Sequence, residues 1–245
     1  MRPTVSVICP FVGPRPSFEL TLQDGDELML EDDNPGRSSY AARDRAARRA
    51  RGEWLLFLDA DCTPDPALLD AYFAEPPGAD VAVLAGSIED EVVQDSAVAR
   101  YVAARGKLSQ DVVLGRARPY AQTANCAVRR AAFLAVGGWP EPIVSGGDAD
   151  LCWRLADAGW KLEPRPAARV RHRNRTTTRA LLAQLHRHGR GMAWLEARWP
   201  GTFPTPTPRD LITRPAMLAR DPSLNGLLDV LSLYARDSGR LRGNR

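Results

Sequence analysis

Lysine is almost missing from this 245-residue chain: of 33 basic residues, only Lys107 and Lys161 are lysines. The positive charge is therefore arginine, scattered among acidic residues with a net charge of +3. That pattern lacks the basic stripe of a nucleic-acid-binding surface. It also carries the imprint of a GC-rich, bacterial genome. Cysteine is sparse too. Cys9, Cys62, Cys126 and Cys152 lie far apart with no Cys-x-x-Cys pair, which excludes a zinc spacing and a disulfide framework. They are expected to be reduced, buried thiols of a cytosolic protein. No apolar run approaches the roughly 20 residues of a membrane span. Met1-Arg2-Pro3-Thr4 leads straight into a strand pattern rather than a secretory leader, so the expected location is the cytoplasm.

What is present is one large core's worth of apolar residues, 44% of the chain, in alternating short runs. Val5 to Pro10 reads as a strand stopped by proline, with a weak helix after Pro16. Glu27 to Leu30 reads as a second strand, ending in Glu31, Asp32 and Asp33. Ser38 or Ser39 caps an Ala/Arg-rich helix to about Arg51, stopped by Gly52. Trp54 to Leu58 is apolar on both faces, as a central parallel strand requires, and ends at Asp59-Ala60-Asp61. Pro64 and Pro66 open a helix, and Val81 to Ala85 is a fourth strand. Such alternation predicts an α/β, doubly wound sheet. Beyond it the expected elements are helices over 96–108, 130–136, 149–158 and 178–194, and strands over 121–128 and near Arg169-Val170. The expected organisation is a domain over 1–199, a proline-rich linker over 200–215 and a helical tail over 216–245. In the tail, Leu224, Leu227, Leu228, Leu231 and Tyr234 form one apolar stripe at helical spacing. That stripe needs a surface to cover: its own domain, a second copy in a homodimer, or the inner face of a membrane as a peripheral contact.

Ligands of open α/β sheets bind outside the carboxyl ends of the strands. Two carboxylates one residue apart at such an end, Asp59 and Asp61, can hold a hard divalent cation that bridges to a diphosphate. An acidic turn with a helix cap explains the same residues without a metal.

Two blocks of the chain resemble the family 2 glycosyltransferases of GT-A fold. One is Val5–Pro10 with Ala42–Ala46 and Gly52–Cys62. The other is Asn125–Arg130, Val136-Gly137-Gly138-Trp139-Pro140-Glu141 and Gly146–Leu155. The likeness runs from about Val5 to Gly191 and rests on the order and spacing of the segments. It implies a GT-A type open doubly wound mixed sheet flanked by helices. It also implies an inverting transfer from a nucleoside-diphosphate sugar donor to a hydroxyl acceptor, with Mg²⁺ or Mn²⁺ as cofactor. The donor side would comprise Pro10, Asp32 (or Asp33, one residue on), Arg43, Asp59 and Asp61. The metal would lie on Asp61 and His172, and Asp148 would be the catalytic base. The acceptor side would comprise Asn125, Trp139, Asp150 and Arg187. Bland rivals stand beside these roles. Asp148 suits the N-cap of a helix starting at Ala149, His172 a strand-end histidine, Trp139 a packing ring, and Arg187 a solvated helix face. The connection from Phe11 to Asp26 is shorter than the family's, and Gly147 stands where relatives carry Glu. Those two departures keep a non-catalytic binding protein in view. A sugar-phosphate nucleotidyltransferase is the other rival, weakened because Phe11-Val12-Gly13-Pro14-Arg15 is not a Gly-rich basic loop.

Overall fold

The computed structural model describes residues 2–33, 38–91, 95–106, 109–139 and 143–242. Pro140 and Glu141 of the expected acceptor-side segment, and Leu108 at an expected helix end, lie outside these. The chain divides into two compact units. The first spans 1–91, 108–142 and 147–173, and the second spans 92–107, 143–146 and 174–245.

The first unit holds a seven-stranded mixed sheet ordered β2-β1-β3-β6-β5-β7-β4. Its strands are β1 Val5–Phe11, β2 Glu27–Asp32, β3 Trp54–Leu58, β4 Cys62–Pro64, β5 Val81–Asp90, β6 Asn125–Arg129 and β7 Lys161–His172. β2, β1 and β3 run parallel. β6 runs antiparallel between β3 and β5, and β7 is parallel to β5. β3 is buried at all five positions, which its unbroken apolar run demands. Its side chains share a core with Val5, Val7, Leu68, Tyr72, Leu84 and Val170. All four cysteines are free and buried here.

Helices α1 Ser39–Arg49, α2 Leu68–Tyr72, α4 Gln110–Leu114, α5 Arg130–Ala135 and α6 Gly147–Asp157 complete this unit. Ser38 caps α1, its Oγ accepting from Ala41 N at 3.1 Å. Gly52 has a different task from the expected helix stop, since α1 already ends at Arg49. A Cβ at Gly52 would lie 2.5 Å from the Ser6 amide, so glycine lets the entry to β3 press against β1. The expected helix after Pro16 is not formed: the connection is irregular. Asp26 anchors its end, accepting from the Gln23 and Val5 amides at 2.9 and 2.8 Å.

The second unit is helical: α3 Ala97–Ala104, α7 Thr178–Arg198, α8 Pro208–Thr213, a 3-10 stretch Arg214–Ala219, and α9 Leu224–Arg242. The expected linker is thus irregular only up to Thr207. There, Thr207 and Asp210 form a reciprocal capping box that starts α8 at Pro208. Val98, Tyr101, Val102, Leu181, Leu185 and Leu228 make a small core. The expected leucine stripe on α9 is only in part its buried face: Leu228 is buried, and Leu231 and Tyr234 are half-buried. Leu224 and Leu227 are exposed, while Gly226, Leu228, Val230, Ser232, Asp237 and Gly239 are buried. A Cβ at Gly239 would lie 2.0 Å from the His186 carbonyl, and one at Gly189 1.9 Å from that of Arg236. Backbone approach of α7 to α9 at these glycines turns small residues inward beside Leu228 and leaves Leu224 and Leu227 outside. Among the described residues, no helix is long and apolar enough to cross a membrane.

Candidate active site

The site gathers at the carboxyl ends of β1, β2 and β3, and α1 organises it. Tyr40, Arg43 and Asp44 fall on one face of that helix, at spacings of three and four. Each reaches a different segment. Arg43 ion-pairs with Asp59. The Tyr40 hydroxyl donates to Asp148 Oδ1 at 3.3 Å. Asp44 Oδ1 accepts from the Trp139 amide at 3.1 Å.

Asp61 follows β3 by three residues, and β4 then pairs antiparallel with β7, setting Cys62 opposite His172. That register brings His172 Nε2 within 3.5 Å of Asp61 Oδ1. Arg173 N also donates to the Asp61 carbonyl at 2.9 Å. His172 is 4% exposed, so it is not a loose strand-end histidine. Among the described residues, no group of three or more His, Cys, Asp or Glu side chains is placed to hold a metal ion. An adjacent carboxylate oxygen and imidazole nitrogen do fit a divalent cation that takes its remaining ligands from diphosphate and water.

Of the two carboxylates after β2, Asp32 is exposed and Asp33 is buried. Burial pushes the Asp33 carboxyl above its usual range, against the pull of Arg43 and Arg45. Its Oδ1 has no hydrogen-bond partner among the described residues. Pro10 is buried in β1. Asp148 lies in the first turn of α6, one residue inside the helix rather than capping it. Its Oδ1 accepts from the Ala149 amide at 3.0 Å. Burial raises the proton affinity of this carboxyl, outweighing the Ala149 amide, Arg43 and Tyr40. A carboxylate of raised proton affinity is suited to general-base work.

The expected acceptor side is not assembled as a unit. Trp139 is 2% exposed, packed edge-on against Phe57 and Phe133 at centroid distances of 4.8 and 5.1 Å. Its Nε1 donates to the Gly147 carbonyl at 2.7 Å. It is a packing ring, with no face left for a sugar. Asn125 is fully buried. It accepts from the Tyr72 hydroxyl and donates to the Ser87 and Ala168 carbonyls. Those bonds bracket the sheet and occupy its whole amide. Asp150 is fully buried against Arg154 at 2.8 Å, and Arg154 also holds the Val136 and Gly138 carbonyls. Asn125 and Asp150 are thus bonded within the fold. Arg187 is exposed on α7 of the helical unit.

Sequence reasoning missed Tyr40, whose only signal was its three-residue spacing from Arg43. It left the donor-side carboxylate at Asp32 or Asp33, and of the two Asp33 is the buried one.

Residues 54–234 match the family described as glycosyl transferase family group 2, and the chain belongs to that family. It is 34% identical over 168 residues to a pre-mycofactocin glycosyltransferase of Mycobacterium tuberculosis, covering 65% of this chain and 35% of that protein. It is 30% identical over 142 residues to glycosyltransferase AglE of Haloferax volcanii, covering 58% of this chain and 46% of that one. The chain thus spans between a third and a half of the length of these relatives. Among solved structures, it resembles a Pyrobaculum calidifontis mannosyltransferase in complex with GDP-Man and Mn²⁺. The TM-score is 0.58 at 18% identity, covering 96% of this chain and 74% of that one. It also resembles glucosyl-3-phosphoglycerate synthase of M. tuberculosis in complex with Mn²⁺, UDP-glucose and glycerol 3-phosphate. There the TM-score is 0.53 at 18% identity, covering 80% of each chain. The fold is of GT-A type, as the motif order implied.

Proposed function

We propose that this chain transfers a sugar, with inversion, from a nucleoside diphosphate to a hydroxyl acceptor, using Asp148 as base. The observation that carries the reading is the face of α1, from which Arg43 holds Asp59 while Tyr40 holds Asp148. One rigid element thus couples a donor-side carboxylate to an acceptor-side one. Asp33, buried and with an open acceptor oxygen, is the better candidate for contact with the nucleotide base. A hydroxyl is a weak nucleophile at neutral pH, so a carboxylate within hydrogen-bond reach must take its proton. Asp61 and His172 are the residues that would hold the cation, which when bound neutralises charge gathering on the departing diphosphate. An imidazole donor beside a carboxylate favours Mn²⁺ over Mg²⁺. Structural relatives solved with Mn²⁺ and a nucleotide sugar, and with Mg²⁺ and UDP, support a divalent cation at this place.

Calorimetry with UDP and GDP, with and without Mn²⁺, tests this reading. Wild-type protein should bind one of them more tightly with Mn²⁺, and Asp61→Ala should reduce that affinity to the metal-free level. Equal affinity of the two proteins in Mn²⁺ removes the metal site.

A further inference from the structure

Tyr40 carries more of this site than a packing residue would. It is 7% exposed, its ring lies 5.5 Å from that of Trp139, and the Arg43 guanidinium sits 5.4 Å from its centroid. On the remaining side is Gly147, where a Cβ would stand 2.7 Å from Tyr40 Cδ1. Any side chain at 147 would therefore displace the ring. The phenol so clamped donates to Asp148 Oδ1, which also accepts from the Ala149 amide. Both donors thus fall on Oδ1 rather than Oδ2.

The geometry points to Tyr40 as the positioning residue of the base: with the Ala149 amide it pins Asp148 Oδ1 and leaves Oδ2 to receive the acceptor's proton. This role rests on Asp148 being the base. A general base works only when its basic lone pair is aimed at the proton it takes. A carboxylate pinned at one oxygen presents the other in a fixed direction. Burial keeps the Tyr40 phenol far above its ordinary value, so it remains a donor throughout the working range. The other groups facing Asp148 are Arg43 from α1, Tyr120, Cys126 of β6 and Cys152 of α6. Burial holds that phenol and those thiols protonated. Arg43 is then the fixed charge of the set, and a change at the Tyr40 hydroxyl leaves it in place.

The test is Tyr40→Phe, which keeps the ring above Gly147 and removes only the hydroxyl. The ¹³C carboxyl resonance of Asp148, identified by its absence in Asp148→Asn, is titrated in metal-free protein. The hydroxyl stabilises the ionised carboxylate, so the midpoint should move to higher pH in Tyr40→Phe. It should move to lower pH when 3-fluorotyrosine, a stronger donor, is incorporated at position 40. Release of UDP from UDP-glucose, or of GDP from GDP-mannose, with water as acceptor should fall about tenfold in Tyr40→Phe, in keeping with one hydrogen bond to a charged group. The donor KM should not change. An unmoved midpoint in both variants, with Asp148→Asn inactive, overturns the role of Tyr40 alone. Wild-type nucleotide release by Asp148→Asn overturns the base, and this role with it.

Discussion

The two ends of the sheet treat their carboxylates in opposite ways. At the amino end, Asp26 is surrounded by donors: two Arg2 nitrogens and the Val5 and Gln23 amides. Burial alone would raise its pKa, but these bonds hold it below the usual carboxylate range. Glu27 is treated likewise by the Arg51 amide and the Ser6 hydroxyl. At the carboxyl end, Asp33 is buried and Asp148 half-buried, each with fewer donors, and desolvation wins. Saturated carboxylates fasten strands together, whereas under-saturated ones keep lone pairs for a ligand or a proton. The contrast separates scaffold from chemistry within one sheet.

Substitutions at the two ends should therefore part company. The largest expected effect is on turnover. Asp148→Asn keeps the oxygen that accepts from Ala149 but cannot take a proton, so nucleotide release should fall by about 10²–10⁴-fold. Circular dichroism should show an unchanged fold. At the other end, Asp26→Ala removes one of the two carboxylates that hold Arg2 and leaves Asp70; the Arg2 side chain is 7% exposed and that of Asp26 wholly buried. Breaking a buried pair costs about 3 kcal/mol, a fall of roughly 6–12 °C in Tm, and Mn²⁺-dependent nucleotide affinity should be retained. Because the folded Asp26 value is depressed, its contribution is present above the unfolded value and lost as pH falls through the folded one. The gap in Tm between the two proteins should close on acidification. The smallest effect has the opposite sign. Asp148 has a raised folded value, so its contribution is present below the unfolded value and lost as pH rises through the folded one. Asp148→Asn should melt above wild type at neutral pH, and that advantage should vanish in acid. If Asp148→Asn melts lower at neutral pH, the contrast between the two ends is wrong.

How much of this was legible beforehand depended on range. β3 and its terminal Asp59 and Asp61 were plain, because an apolar run buried on both faces has one reading. β7 was seen only near Arg169-Val170. Pro164 and Pro166 argue against a sheet interior, yet Pro164 sits opposite Ala85 of β5 and Pro166 falls in a register shift between Gly86 and Ser87. The three residues of β4 were too short to signal at all, and with them went the pairing that brings His172 to Asp61. Only the likeness to a family suggested that contact. Trp139, Asn125 and Asp150 are buried, and the sequence could not show it, because a residue type fit for binding a sugar is equally fit for tying a core. Local sequence does not say which oxygen or ring face is already occupied. Likewise the tail's leucines had the right period for burial, but the glycines at 189 and 239 set the rotation of α9.

The four buried thiols are spread through the sheet unit, on β1, β4, β6 and α6. Burial lifts Cys9 and Cys152 to about 12 and holds Cys62 and Cys126 well above the usual thiol range, so none is nucleophilic while covered. Each can meet an alkylating reagent only when its own stretch of backbone opens. Timed alkylation followed by mass spectrometry would turn these cysteines into four built-in clocks, each recording how often its part of the sheet breathes.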